Sequence, residues 1–144
     1  MDFSIASDHA AVELKNKLIA ELREQGHHVT DCSPADNPAE NYADSANRVC
    51  KNVHGKKDHR GILICGTGQG TAMRANRHKG IRAALVTNEF MAEMARLHNN
   101  ANVLVFGSRI TTPTMAKRML AIFMNTPYEG GRHDARIAAL DADI

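Results

Sequence analysis

Residues 61–70 read GILICGTGQG, an unbroken apolar run followed by three glycines at alternate positions. An apolar run with no polar alternation is typical of a strand buried on both faces of a parallel sheet. Glycines placed after such a strand let the backbone turn tightly and approach a ligand closely. The stretch therefore predicts a buried strand, Gly61–Cys65, that leads into a glycine-rich loop, Gly66–Gly70.

Strand-like and helix-like patterns alternate on both sides of this stretch. The other predicted strands are Phe3–Ser7, His28–Cys32, Ile81–Val86 and Asn102–Phe106. Helical patterns cover residues 12–22, 43–53, 70–78, 89–97 and 112–125, and a short one starts at Asp134. This alternation predicts an α/β fold with one domain over residues 1–144: a Rossmann-like open parallel five-stranded sheet with helices on both faces.

The amino-acid composition argues against two classes of binding partner, nucleic acids and membranes. The 18 Lys and Arg residues nearly balance the 16 Asp and Glu residues, and aromatic residues make up 4% of the chain. A nucleic-acid binder typically has a strongly basic face and aromatic stacking platforms. No apolar run approaches the ~20 residues of a membrane span, and the N-terminus lacks a signal-peptide pattern. We therefore expect no nucleic-acid partner, no membrane and a cytoplasmic location.

The cysteines and histidines do not have the spacing of a metal site. Cys32, Cys50 and Cys65 are odd in number and form no Cys-x-x-Cys pair, and the eight histidines are scattered along the chain. Neither pattern predicts a disulfide framework or a metal centre. Cys32 and Cys50 are expected to be packing residues. Cys65 differs because it stands where the strand meets the glycine loop, and a helix N-terminus close to a thiol favours the thiolate.

Open parallel sheets bind ligands at the carboxyl ends of their strands. Three predicted strands end in polar residues, Asp8-His9, Thr87-Asn88 and Ser108-Arg109, whereas Cys32-Ser33 offers little chemistry. The glycine loop adds a nest of backbone amides that suits a phosphate or a developing oxyanion. It matches neither a Walker A loop nor a dinucleotide-binding loop. A tight turn without any ligand would explain the glycines as well.

Two further groups carry polar side chains that could bind a ligand. His98-Asn99-Asn100 ends a predicted helix, and an ordinary helix cap explains it equally well. His98 would approach the crevice at the strand ends only if this helix ends on the far side and the loop curls back. Arg132 and Arg136 share a face if their segment is helical, and two guanidinium groups suit a phosphate dianion. A solvated charged face accounts for them equally well.

Together, these motifs resemble one family. The matching segments, in chain order, are Asp8-His9-Ala10 with Leu14-Lys15, Ile64–Gly68, Asn76 with Gly80–Ala83, His98–Val103, Phe106–Arg109 and Tyr128–His133. The chain is similar to the type-B ribose-5-phosphate isomerases and the related galactose-6-phosphate isomerase subunits. The likeness runs from Asp8 to about Arg136, which is nearly the whole chain.

The resemblance implies an aldose–ketose isomerase that acts on a phosphosugar without a metal or an organic cofactor. Ribose 5-phosphate and ribulose 5-phosphate would interconvert through an enediolate. By this analogy Cys65 is the base that moves a proton between C1 and C2. Thr67 and the amides of Gly66, Gly68 and Gly70 would hold the developing oxyanion.

The same analogy assigns the remaining site residues. His98 would assist opening of the sugar ring with Asp8 as its partner, and Asn99 would hydrogen-bond the substrate. The phosphate-binding positions would be His9, Arg109, Arg132 and Arg136. The family also implies a homodimer or homotetramer in which a C-terminal arm, from about residue 126, reaches the active site of a neighbouring subunit.

Several departures from the family pattern leave the substrate open. Met73-Arg74 replaces small or apolar residues, Ala11 replaces a glycine, and no proline follows Tyr42. Thr71 stands where some members carry a glutamate base, which makes Cys65 the better candidate here. The alternatives are isomerisation of galactose 6-phosphate, allose 6-phosphate or a tetrose phosphate, or a non-catalytic subunit that binds a sugar phosphate.

Overall fold

Five parallel strands form the sheet in the computed structural model, which describes residues 1–144. They are β1 (Asp2–Ser7), β2 (His28–Asp31), β3 (His59–Cys65), β4 (Ala83–Leu85) and β5 (Val103–Gly107). Their order across the sheet is β2-β1-β3-β5-β4, and every neighbouring pair is parallel. The chain therefore reverses its direction of winding between β1 and β3, which is where such folds bind ligands.

Six α-helices surround this sheet. They are α1 (Val12–Glu24), α2 (Tyr42–Val53), α3 (Gln69–Ala75), α4 (Glu89–Leu97), α5 (Pro113–Asn125) and α6 (Asp134–Asp141). Helices α1, α4 and α5 pack on one face of the sheet, and α2 and α3 pack on the other. The predicted fold class is confirmed. None of the helices combines the length and the apolar character that crossing a bilayer demands.

The central strand β3 explains why its sequence is continuously apolar. Ile62 and Ile64 belong to the core under α1, α4 and α5, whereas Leu63 belongs to the core under α2. All three side chains are fully buried. Alternate residues of a strand point to opposite faces, so a strand covered on both faces has no polar position.

The outermost strand, β4, is shorter than the predicted Ile81–Val86, and α3 ends at Ala75 rather than near His78. Asn76, the residue that follows α3, bonds to the outward side of β4. The Asn76 amide donates to the carbonyl of Ala83 over 2.9 Å and accepts from its N–H over 2.8 Å. Asn76 therefore occupies the outer side of β4 at the point where the predicted helix would have continued.

Helix α1 buries a lysine that hydrophobic patterning did not single out. Lys15 is 2% exposed, and its Nζ donates to Asp31 Oδ1 over 3.1 Å and to the carbonyl of Ser33 over 2.7 Å. Val12, at the start of the same helix, is 43% exposed although it is apolar. The end of β2 therefore holds a buried lysine that is paired within the fold.

Candidate active site

The ends of β1, β3 and β5 meet at one edge of the sheet, called here the carboxyl edge. The Asp8 amide donates to the carbonyl of Ile64, and the Ser108 amide donates to that of Cys65 over 2.9 Å. The Arg109 amide donates to the carbonyl of Gly66 over 3.0 Å. These bonds hold Asp8, Cys65 and Arg109 around the start of the glycine loop.

The thiol of Cys65 lies beneath that loop and is nearly buried, with the residue 6% exposed. The Gly68 amide donates to its Sγ over 3.2 Å. The N–H group of Gly68 therefore points at the sulfur from the inner side of the loop. The geometry provides a candidate base with a hydrogen-bond donor already in place.

The hydrogen bond depends on glycine at position 68. Gly68 has φ +81°, and a Cβ there would lie 2.4 Å from Leu85 Cδ1 and 3.0 Å from the Phe106 carbonyl oxygen. Gly107 is similarly constrained, because its Cβ would lie 2.6 Å from the carbonyl of Thr67. The loop and the end of β5 therefore pack backbone against backbone, which fixes the amides relative to Cys65.

Thr67 and Arg109 present polar groups at the mouth of this edge. Thr67 is exposed, and its Oγ1 accepts from the Gln69 amide over 3.4 Å. The guanidinium of Arg109 lies over Gly66, where a Cβ would be 3.5 Å from Cζ. No carboxylate pairs with Arg109, so its charge is available to an anionic ligand.

Asp8 and His9 complete this side of the site. The Asp8 carboxylate accepts from the Ala10 amide over 3.0 Å and so caps a short 3₁₀ turn, His9–Ala11. Asp8 is half-buried and His9 is exposed. The cap turns the chain sharply at the end of β1 and leaves both side chains at the carboxyl edge.

Tyr42 is a site residue that the sequence analysis missed. A Cβ on Gly70 would lie 2.4 Å from Tyr42 Cε1, so the ring lies directly on the glycine. The ring is 43% exposed, and the Tyr42 carbonyl accepts from the buried hydroxyl of Thr71 over 3.2 Å. In a chain with two tyrosines and four phenylalanines, an aromatic side chain at the start of α2 was the available signal.

His98 and Asn99 lie at the opposite edge of the sheet, called here the amino edge. Helix α4 ends at Leu97, and the Asn102 carbonyl then accepts from the Gly61 amide at the start of β3. From Gly61 to Cys65 the strand spans about 13 Å at ~3.3 Å per residue. The loop does not curl back, so within one chain His98 and Asn99 do not meet Cys65.

The C-terminal arm, residues 126–133, also docks at the amino edge. The Glu129 amide donates to the Leu97 carbonyl over 3.0 Å, and Arg132 Nη1 lies 3.2 Å from Glu129 Oε1. The exposed Arg136 follows on α6, whose end is tied to Arg82 by Asp141 over 2.8 Å. Both predicted phosphate arginines of the C-terminal segment therefore stand apart from Arg109.

A cluster of His98, Glu129 and His133 forms the centre of the amino edge. The two imidazoles are stacked, with centroids 4.4 Å apart and planes 19° from parallel. Their Nε2 atoms lie 3.6 Å and 3.3 Å from the same oxygen, Glu129 Oε2. Burial raises the pKa of Glu129, but Arg132 and His133 outweigh that effect and hold it below its ordinary range.

These three side chains are close enough to suggest a cation site. A metal ion, however, lies in the plane of each imidazole that binds it, along the nitrogen lone pair. Two stacked, nearly parallel rings share no such point. The arrangement therefore fits two imidazoles that share one carboxylate better than it fits three ligands of one ion.

The predicted residues thus form two groups. The carboxyl half-site contains Asp8, His9, Cys65, Gly66, Thr67, Gly68, Gly70 and Arg109, and the amino half-site contains His98, Asn99, Arg132 and Arg136. The first offers a thiol that is a candidate base, a loop whose amides could bind an oxyanion and one arginine without a carboxylate partner. The second offers imidazole, amide and guanidinium groups that a ligand at the first cannot reach in the same chain.

Comparison with known proteins identifies close relatives over nearly the whole chain. A sequence model of the ribose/galactose isomerase family matches residues 3–140. Ribose-5-phosphate isomerase B of Escherichia coli (strain K12) is 38% identical over 135 residues, which is 94% of this chain and 91% of that protein.

Solved structures agree with the sequence match. Ribose 5-phosphate isomerase B of Thermotoga maritima superposes with a TM-score of 0.92 at 42% identity, covering 97% of both chains. Ribose-5-phosphate isomerase B of Mycoplasma genitalium, solved with bound ribulose-5-phosphate, gives a TM-score of 0.91 at 40% identity. That match covers 97% of this chain and 93% of the other.

Proposed function

The chain belongs to the ribose/galactose isomerase family, and on that premise we propose that it interconverts ribose 5-phosphate and ribulose 5-phosphate. The E. coli relative and both solved structures are named for that reaction, and the M. genitalium structure contains the ketose product. The enzyme class is accordingly that of the sugar-phosphate aldose–ketose isomerases.

The observation that carries the mechanism is the Cys65 thiol under the Gly68 amide, at 3.2 Å. We assign Cys65 as the base. Its thiolate removes the proton from C2 of the open-chain aldose, the C2–H electron pair forms the C1–C2 double bond, and the negative charge moves to O1. The thiol then returns its proton to C1 while the O2 proton passes to O1, which leaves the ketose. Each atom and electron pair is accounted for within the sugar and one side chain.

The glycine loop supplies the stabilisation that this intermediate needs. Thr67 stands exposed at the entrance of the loop, and its hydroxyl donates a hydrogen bond to the developing oxyanion together with the amides of Gly66 and Gly70. The Gly68 amide is engaged by Cys65 Sγ and becomes free for the oxyanion only as the sulfur takes up the proton. Donors that are fixed before the charge develops stabilise it without reorganisation. Because an enediolate isomerisation passes no electrons to an external acceptor, it needs no redox cofactor, and proton transfer needs no metal.

The amino half-site completes the reaction from a second copy of the chain. His98 of that copy opens the furanose ring, with Asp8 handling the ring hydroxyls, and Asn99 hydrogen-bonds the substrate. The phosphate is held by His9 and Arg109 of one chain and by Arg132 and Arg136 of the other. The phosphate lies far from the reacting carbons C1 and C2, and its binding orients them in the site.

Two observations support assembly from two copies. The half-sites are about 13 Å apart along β3. A pentose phosphate bound at Cys65 therefore does not reach the amino half-site of the same chain. Large apolar side chains also surround the carboxyl edge, with Met73 66%, Phe90 67% and Ile110 58% exposed. A partner that covers them would bury apolar surface and bring its own amino half-site to Cys65. We therefore favour a homodimer, or a homotetramer built from such pairs.

The three free cysteines suit a reducing compartment, so we assign the enzyme to the cytoplasm.

The proposed function is tested by a proton NMR time course with ribose 5-phosphate in deuterium oxide. We expect ribulose 5-phosphate to appear, with solvent deuterium entering at the exchanged carbon. Galactose 6-phosphate, allose 6-phosphate and a tetrose phosphate are run in parallel. Turnover of one of these instead would move the assignment to that sugar. Saturable binding without turnover of any of them would make the chain a non-catalytic subunit.

A further inference from the structure

Glu129 contacts two residues of the amino half-site, His98 and Arg132, and it also contacts His133. Its Oε1 accepts from Arg132 Nη1 over 3.2 Å, and its Oε2 faces His98 Nε2 at 3.6 Å and His133 Nε2 at 3.3 Å. One carboxylate thus divides its two oxygens between a guanidinium on one side and a pair of imidazoles on the other.

The backbone around Glu129 is built to hold it there. Its amide donates to the carbonyl of Leu97, immediately before His98, which ties the arm to the end of α4. The next two residues, Gly130 and Gly131, have φ +72° and +61°, and these conformations turn the chain back on itself. The turn brings Arg132 and His133 around to the carboxylate that precedes them.

His133 gives an independent reason to regard this arrangement as functional. The residue is 4% exposed, its ring stacks on His98, and its Nε2 has no hydrogen-bond partner of good geometry. A buried polar atom without a partner costs free energy. The carboxylate oxygen closest to that atom is Glu129 Oε2, at 3.3 Å, so Glu129 is the group placed to reduce this cost.

The other charged groups near His98 do not compete for this role. Arg82 directs its guanidinium to the carbonyls of Asn99 and Asn100 and to Asp141. Arg96 of α4 donates to Asn100 and to the Ala101 carbonyl and stacks over Phe123. Glu129 is therefore the carboxylate that faces His98, and Arg132 and His133 are the cations or potential cations that share it.

We propose that Glu129 is a positioning residue that holds the ring-opening His98 and the phosphate-binding Arg132 as one unit, presented together to the Cys65 site of the neighbouring subunit. This inference rests on the proposed function. The carboxylate orients the His98 ring through Oε2 and provides the counter-charge for its protonated form. Through Oε1 it fixes the Arg132 guanidinium that binds the phosphate. The His98 imidazole and the Arg132 guanidinium therefore reach the neighbouring subunit in a fixed relative position.

The test compares Glu129→Gln with wild type and with Glu93→Gln over a pH series on ribose 5-phosphate. Glu93 is an exposed residue of α4 that contacts none of the site. Glu129→Gln is expected to lower kcat about tenfold, the worth of one charge-assisted hydrogen bond, and to raise KM. The alkaline limb of its kcat profile should move to lower pH, because the imidazolium has lost its counter-charge. Glu93→Gln should match wild type in all three.

A second variant separates positioning from mere structural support. Glu129→Asp keeps the charge on a shorter side chain and should retain the wild-type pH profile even where kcat falls. The proposal is overturned if Glu129→Gln keeps wild-type kcat, KM and pH profile. It is also overturned if both variants lose activity equally with no change of profile. Failure of the wild-type enzyme to turn over ribose 5-phosphate would instead remove the proposed function on which the inference rests.

Discussion

The backbone amide of Gly68 donates to Sγ of Cys65 over 3.2 Å, and only a residue without a Cβ fits where that amide stands. The two residues lie three positions apart in the chain, so one tight turn brings together the proposed base and its hydrogen-bond donor. This part of the carboxyl half-site is therefore local in sequence, whereas Asp8, His9 and Arg109 come from other strands.

Replacement of Cys65 by serine tests the base directly. Cys65→Ser should lower kcat by roughly 10²-fold or more, because a hydroxyl is too weak a base at neutral pH. Binding of ribulose 5-phosphate, measured by calorimetry, should stay close to that of wild type. Cys32→Ser is the control, since Cys32 lies half-exposed at the end of β2 and outside the site. Wild-type turnover by Cys65→Ser would exclude this thiol as the base.

Mixing two inactive variants tests whether the site is shared between chains. Cys65→Ser alone and His98→Asn alone should both be nearly inactive. A hybrid dimer, however, contains one site in which Cys65 of one chain meets His98 of the other. Random reassembly should therefore restore about a quarter of wild-type activity, because half the dimers are hybrids and each has one intact site. A mixture that stays inactive after verified subunit exchange would show that each site draws on a single chain.

Arg132→Ala should raise KM more than it lowers kcat. The guanidinium is assigned to the phosphate, which binds in the ground state and the transition state alike. Loss of a charge-assisted contact of about 1.5–3 kcal/mol corresponds to roughly a 10- to 100-fold increase in KM. Arg118→Ala is the matched control, because Arg118 is an exposed residue of α5 whose nearest carboxylate is Glu89 at 3.8 Å. An unchanged KM in Arg132→Ala would place the phosphate elsewhere.

Two glycines with nearly the same φ allow the cost of backbone strain to be measured separately from the cost of side-chain crowding. Gly26 has φ +85° and nothing within 4 Å of an added Cβ, whereas Gly68 has φ +81° and the Leu85 side chain at 2.4 Å. Gly26→Ala should lower the free energy of unfolding by about 1 kcal/mol from backbone strain alone. Gly68→Ala should lower it by about 2–4 kcal/mol, because overpacking is added. Urea denaturation measures both, and equal losses would contradict the crowding at Gly68.

Stability should fall as the solution is made mildly acidic. Burial is the main cause that lowers the pKa of His59 and of His78. For a histidine with a lowered pKa in the folded state, the unfolded chain binds more protons below about pH 6.5. The folded state therefore loses stability as pH drops from about 6.5 through the lowered values. Thermal melts between pH 5 and 8 should show this slope, and the double variant His59→Gln, His78→Gln should flatten it.

The features that could be predicted from sequence are those with a local signal. The apolar run Gly61–Cys65, the glycine loop and the start of the helix predicted over residues 112–125 each depend on neighbouring residues. The last is confirmed by Thr112 Oγ1, which accepts from the Met115 amide over 3.2 Å. Lys15 had no such signal. Its burial depends on a carboxylate and a carbonyl 16 and 18 residues further on, which only the folded sheet brings together.

The position of His98 shows a second limit on what can be predicted from the sequence. In a parallel sheet the helix that connects two strands must return to the amino edge before the next strand begins. The end of α4 must therefore lie away from Cys65, and this follows from the topology alone. The contacts of His98 with Glu129 and His133, 31 and 35 residues later, have no counterpart in local pattern. Whether the two half-sites join across a subunit boundary stays a prediction.

The side chain of Asn76 has a consequence for the protein in crowded solution. Strand β4 is one of the two open margins of the sheet, and unpaired N–H and C=O groups there would template a strand from another molecule. Asn76 occupies both outward groups of Ala83 as a neighbouring strand would. A single amide thus closes part of this three-residue margin against edge-to-edge pairing with another molecule.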